Sequence, residues 1–180
     1  MRKTITTTLV ALLGAAQFGV AARADDKALI DANTQRALTF MRTSGGETAK
    51  LLERAAGVLV FPDIVKMGFG AGGQFGEGAL LVDGETVAYY ATAGTTYGNL
   101  PDADYKAEVI FFMTEDALQA FRNSPSWKVG ENATVPVMTD ATAALATSEP
   151  APTHIGVIFS EDGLVRNLNL DGARVRRIAR

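Results

Sequence analysis

Gly68, Gly70 and Gly73 fit the spacing G-x-G-x-x-G, and the apolar run GVLVF lies just upstream at residues 57–61. That pattern suits a pyrophosphate cradle. Glycines let backbone N–H groups close on phosphate oxygens, and a helix opening at the third glycine adds the positive end of its dipole. Here Gly73 is followed by QFGEGALLVDGE. A helix there would hold Gly76 and Gly78 in its interior, each costing about 1 kcal/mol against alanine, and Asp83-Gly84 would stop it early. No kinase catalytic-loop motif accompanies the glycines either. The segment therefore argues against a nucleotide site. In an extended chain, Gly68, Gly70, Gly72, Gly76 and Gly78 share one face, while Phe69, Ala71, Phe75 and Ala79 share the other. A row of glycines in a strand marks close backbone approach, sharp bending or a bulge. The bare face predicts a tightly packed helix, a coiled sheet, or a trough open to a ligand chain, with close packing the plainest of the three.

Other chemical candidates are sparse. His154 is the only histidine, and at the start of a strand it reads as a hydrogen-bonded structural residue. There is no G-x-S-x-G elbow, and cysteine is absent, so thiol catalysis and thiolate metal sites are excluded. Asp102-Ala-Asp104 lacks the later ligands and turn glycine of a calcium loop. The sequence offers no catalytic residues, no metal ligands and no cofactor motif, so no enzyme activity is expected. What remains is positive charge. Lys66, just before the glycines, reads either as an exposed lysine or as a point charge for a phosphate. Arg174 and Arg176 flank Val175 and are expected to point outward together, towards an anionic headgroup or simply into solvent. Arg166 shares a strand face with Leu164 and Leu168, so it must snorkel, pair with an acid or line a pocket. Phe69, Phe75 and Tyr90 are the apolar candidates beside these cations, although core packing competes for Tyr89, Tyr90 and Tyr97.

Charge and length bound the partners. Arg2 and Lys3 precede an apolar stretch from Ile5 to Ala22, and Ala22-Arg23-Ala24 has the A-x-A form of a cleavage site. The expectation is a signal peptide over residues 1–24 and a single domain over 25–180, periplasmic or secreted, with no cysteine at the cut for lipoprotein attachment. Without Arg2, Lys3 and Arg23 the 17 basic residues fall to 14 against 20 acidic ones, a net charge of −6. That balance disfavours nucleic acid. The arginines nevertheless crowd the C-terminal end.

The elements that must position these residues are largely β. An amphipathic helix is predicted over 26–43, with Ile30, Ala37, Leu38 and Met41 on one side. Ser44 and Glu47 have the spacing of a capping box for a second helix through Leu51 and Ala55. GVLVF is a strand that Pro62 is expected to end, opening a helical turn through Lys66. Asp83-Gly84 joins ALLV to ETVAYYA as a hairpin. EVIFFM is a further strand, and Thr114 caps a short helix bearing Leu118 and Phe121. TVPVM reads as an edge strand. HIGVIFS, LVRNLNL and ARVRRI read as a closing meander. The predicted class is α+β, with N-terminal helices packed on a strongly bent, mainly antiparallel, barrel-like sheet and one further short helix.

The run AAGVLVFPDIVKMGFGAGGQFGEGALL resembles the signature of the SYLF domain, also called the lipid-binding or Ysc-type actin-binding domain. FFMTEDALQAF, SWKVGENATV and GLVRNLNLDGARVRRI follow in the expected order, so the likeness spans roughly residues 30–178. The chain departs from the pattern at TTYGNLPDADY and at Arg166, Asn167 and Asn169, where small residues are expected. The resemblance implies a compact α+β domain that binds anionic membrane lipids, with no catalytic residues. For an exported member it makes actin an implausible partner. The competing expectation is an envelope interaction module with no lipid ligand.

Overall fold

The computed structural model describes residues 21–180 except 45, 68–71, 97–105, 140, 141, 143, 145, 146, 148, 161, 166 and 167, and leaves undescribed the side chains of residues 21–26, 66, 67, 72, 95 and 96. Two helices, α1 (Ala21–Thr43) and α2 (Gly46–Arg54), precede a sheet of β1 (Gly57–Met67), β2 (Gly72–Val82), β3 (Glu85–Thr96), β4 (Lys106–Phe112), β5 (Trp127–Lys128), β6 (His154–Ser160), β7 (Gly163–Leu164) and β8 (Arg174–Ile178). Helix α3 (Glu115–Asn123) lies between β4 and β5. The eight strands pair antiparallel in the order β5-β8-β3-β2-β1-β4-β6-β7 and curl into a half-barrel. The architecture is the expected α+β class.

Both faces of the sheet are covered, which is why β4 and β6 are buried along their whole length. On the first face, Ile30, Ala37, Leu38 and Met41 of α1 and Leu51 of α2 meet Val60, Ala79, Val109, Val157 and Phe159. The helical spacing of those α1 residues is the one legible in the sequence. On the second face, Leu118 and Phe121 of α3 meet Phe61, Leu80, Tyr90, Phe112 and Trp127. Thr114 caps α3 as expected, its hydroxyl accepting from the Ala117 N–H at 3.2 Å. Asp83 and Gly84, both at positive φ, make the two-residue β2–β3 turn.

Four local expectations are corrected. Pro62 does not end β1. Pairing with β2 shifts between Val60 and Asp63, so Pro62 sits in a bulge, where its missing N–H leaves no ladder bond unmade. The capping box does not form. The Ser44 N–H closes α1 onto the Phe40 carbonyl at 2.8 Å, and the Glu47 carboxylate takes Lys50 at 2.8 Å instead. TVPVM is not a ladder strand, since Val137 makes only an isolated parallel bridge to Gly156. The tail is not a meander. β6 and β7 form a hairpin with only two paired positions, after which the chain crosses the molecule and β8 pairs with β3.

Candidate functional site

The crossover of β8 assembles two rows across the first face of the sheet. One row runs Val65, Phe75, Ala93, Arg174 and Lys128, each residue the register partner of the next. The adjacent row runs Asp63, Glu77, Ala91 and Arg176. Alternation puts all of these side chains on the face that also carries Ala79 and Tyr89. Helix α1 covers Ala79 and Tyr89, but the outer row is open. Val65 is 58% exposed and Phe75 38% exposed, and Arg174 and Arg176 are exposed beside them.

The charges in these rows are partly matched. Asp63 accepts from the Asn33 amide at 2.6 Å, which ties α1 to β1. Arg180 pairs with Glu77, and Lys128 with Glu131. Lys128 holds the Glu131 carboxyl below the usual carboxylate range, with a smaller contribution from Arg174. Neither Arg174 nor Arg176 has a salt bridge to a described residue within 4.0 Å. The result is an apolar pair continuous with two uncommitted guanidinium groups.

No protein-family model matches the chain, and no curated protein is detectably similar to it. The site therefore has to be read from its own geometry. Of the candidates named from sequence, Phe75, Arg174 and Arg176 come together on this face. Tyr90 does not. It is 4% exposed on the opposite face, 4.9 Å from the Phe121 ring, where burial raises its phenol pKa. Core packing takes up both Tyr89 and Tyr90, on opposite faces, because adjacent strand residues point opposite ways. Tyr89 instead donates to Asp31 of α1 at 2.8 Å. Lys66 pairs across to Gln74 through its backbone, while its side chain, and the whole of Phe69, Tyr97 and Arg166, lie outside what is described.

The glycine face is filled at Gly76 and Gly78, while Gly68 and Gly70 lie outside the described residues. A Cβ on Gly78 would stand 2.0 Å from the Val60 carbonyl oxygen and 2.8 Å from Phe61. One on Gly76 would stand 2.5 Å from the end of Ile64 and 2.9 Å from the Asp63 carbonyl. The β1 bulge pushes its own backbone and side chains over β2, and glycine is what permits that approach. At these two positions there is no trough for a helix or a ligand. Farther along the same face, Lys106, Glu108 and Gln74 form a buried polar cluster, with Lys106 2.7 Å from Glu108 and both amide contacts of Gln74 satisfied.

His154 is buried against Phe112 and Trp127, with Nδ1 3.0 Å from the Thr153 hydroxyl. Burial lowers its pKa. Among the described residues, no group of three His, Cys, Asp or Glu side chains is placed to hold a metal. No described helix is long and apolar enough to cross a membrane. Val65 and Lys128 are the members of the surface that sequence reasoning missed. Pro62 points to a helical turn over Val65, whereas the alternation of DIVKM is the signal that places it in register with a strand.

Proposed function

We propose that this protein is a non-enzymatic, exported lipid-binding protein that docks on anionic membrane surfaces through the Val65–Phe75 pair and Arg174–Arg176. The observation that supports this reading is the continuity of the two kinds of group on one exposed sheet face. Val65 and Phe75 reach the boundary between headgroups and acyl chains. The guanidinium forks of Arg174 and Arg176 meet phosphate oxygens in a planar, bidentate fashion. Each cation near an anionic surface contributes about 1 kcal/mol. The body of the protein is acidic, so long-range attraction is weak and docking depends on the arginines within a Debye length of about 8 Å. Binding is accordingly oriented, dependent on anionic lipid and sensitive to salt.

Cosedimentation with phosphatidylglycerol-containing and purely phosphatidylcholine vesicles tests this. Binding to the anionic vesicles alone, released at about 0.5 M salt, is the expected result. Equal binding to both vesicle types, or to neither, rejects the reading. The filled glycine face favours a second reading, an envelope interaction module with no lipid, because it removes the expected acyl-chain trough at Gly76 and Gly78. That reading gains if the vesicles fail to bind and native mass spectrometry finds no co-purifying lipid.

A further inference from the structure

At the other end of the same sheet face, below the elbow between α1 and α2, lies a cavity of about 400 Å³. Its size falls in the range of small-molecule sites, roughly 300–1,000 Å³. Phe40 and Met41 of α1, Met138, Phe159 of β6 and Leu164 of β7 give it apolar walls. Phe40 stacks on Phe159 with centroids 5.2 Å apart, so one wall is a rigid aromatic pair. Among the described residues of the lining, the polar ones are Ser44, Glu47 and Thr48, and Glu47 is the one that carries a charge. Thr48 turns its hydroxyl to the Met41 carbonyl at 3.2 Å.

The Glu47 carboxylate is asymmetric. Lys50 occupies Oε1 from the solvent side at 2.8 Å, while Oε2 is shut off from solvent and has no hydrogen-bond partner. A carboxylate oxygen already stripped of water gains a donor without first losing one, which favours a ligand that brings a donor of its own. As the side chain stands, Oε2 presents no surface to the cavity, and a ligand head reaches it only when the carboxylate turns about its soft terminal torsion, at the expense of the Lys50 contact. A ligand carrying a carboxylate or phosphate would instead meet like charge, with no cation among the described lining residues to offset it.

We infer that this cavity binds a small amphiphile with an apolar body and a hydrogen-bond-donating head, an amine or an alcohol, seated against Glu47. The inference does not rest on the membrane surface described above. The two sites lie at opposite ends of the face and have opposite charge preference.

The test uses the full chain and three probes of equal length, 1-octylamine, 1-octanol and octanoate, followed by calorimetry and by the methyl resonances of Met41 and Met138. The expected result is one-to-one binding of the amine, the alcohol or both, with both methyl resonances shifted. Octanoate is expected to bind at least about tenfold more weakly, as for loss of one charge-assisted hydrogen bond. Glu47→Gln should bring the probes to within about threefold of one another. Leu164→Trp, at a half-buried cavity wall, should abolish binding of all three while leaving the fold intact. Octanoate binding as tightly as the amine and alcohol overturns the inference. So does silence of both methyl resonances with every probe, or discrimination that survives Glu47→Gln.

Discussion

On one side of β2, Gly76 and Gly78 lie beneath the β1 bulge, with the Val60 carbonyl, Phe61 and Ile64 occupying the space that side chains would take. On the other side, at the position next to Gly76, Phe75 stands 38% exposed in a row that also holds Arg174. The same eleven residues thus make a closed packing surface and an open contact surface. The difference arises from the pleat. Period-two alternation gives Gly76 and Gly78 to packing and leaves Phe75 open on the other side, beyond the core residues Ala79 and Leu81, so a change at Phe75 need not disturb Gly78.

The sharpest way to break that division is Gly78→Ala. Its Cβ meets backbone rather than a flexible side-chain end, so the strand or the bulge must move. The expected loss is about 3 kcal/mol in chemical denaturation, with the preference for anionic vesicles kept in whatever folds. A loss below about 0.5 kcal/mol would show that the bulge yields freely. On the opposite side, the double replacement Arg174→Ala and Arg176→Ala should cost about 2 kcal/mol in vesicle affinity, roughly thirtyfold, with unchanged denaturation. Binding that survives the double replacement removes these residues from the contact.

Phe75→Ser sharpens the comparison further. An exposed position should change stability by less than about 0.5 kcal/mol, whereas loss of its apolar contact should weaken vesicle binding by about 1 kcal/mol. A larger loss of stability than of binding would assign Phe75 to the core. The smallest effect concerns the closed face, where burial depresses the His154 pKa below its ordinary 6.5. A neutral, buried histidine leaves the unfolded chain binding the proton first. Stability is therefore full above about pH 6.5 and declines as pH falls through that value towards the folded pKa. Denaturation midpoints of His154→Gln should lack this component. An identical pH profile in the variant would show that His154 does not titrate differently on folding.

Much of the fold was legible because local chemistry decides it. The α1 stripe of Ile30, Ala37, Leu38 and Met41 follows from the helical period, and the Thr114 cap from a side-chain acceptor placed beside an orphan N–H. The Asp83-Gly84 turn follows from its positive φ angles. Pro62 misled for a physical reason. Its ring forbids an interior ladder bond but not a bulge, and only the partner strand reveals which applies. The Ser44–Glu47 spacing misled because a nearby lysine competed for the carboxylate. Tyr90 looked like a surface candidate because composition does not say which face of a doubly covered strand is open.

The sequence by itself determined the class of fold, the three helices, most of the strands and the Asp83-Gly84 turn, because backbone sterics and hydrogen bonding within a few residues are enough for those. Only the tertiary structure decided that β8 crosses to β3. That pairing brings Arg174 level with Phe75, almost one hundred residues earlier in the chain. It also decided that β1, not a ligand, fills the glycine face at Gly76 and Gly78, and that Glu47 lines a cavity while its buried Oε2 has no partner. Register between distant strands is set by burial summed over the whole sheet, and no local stretch of sequence carries that sum.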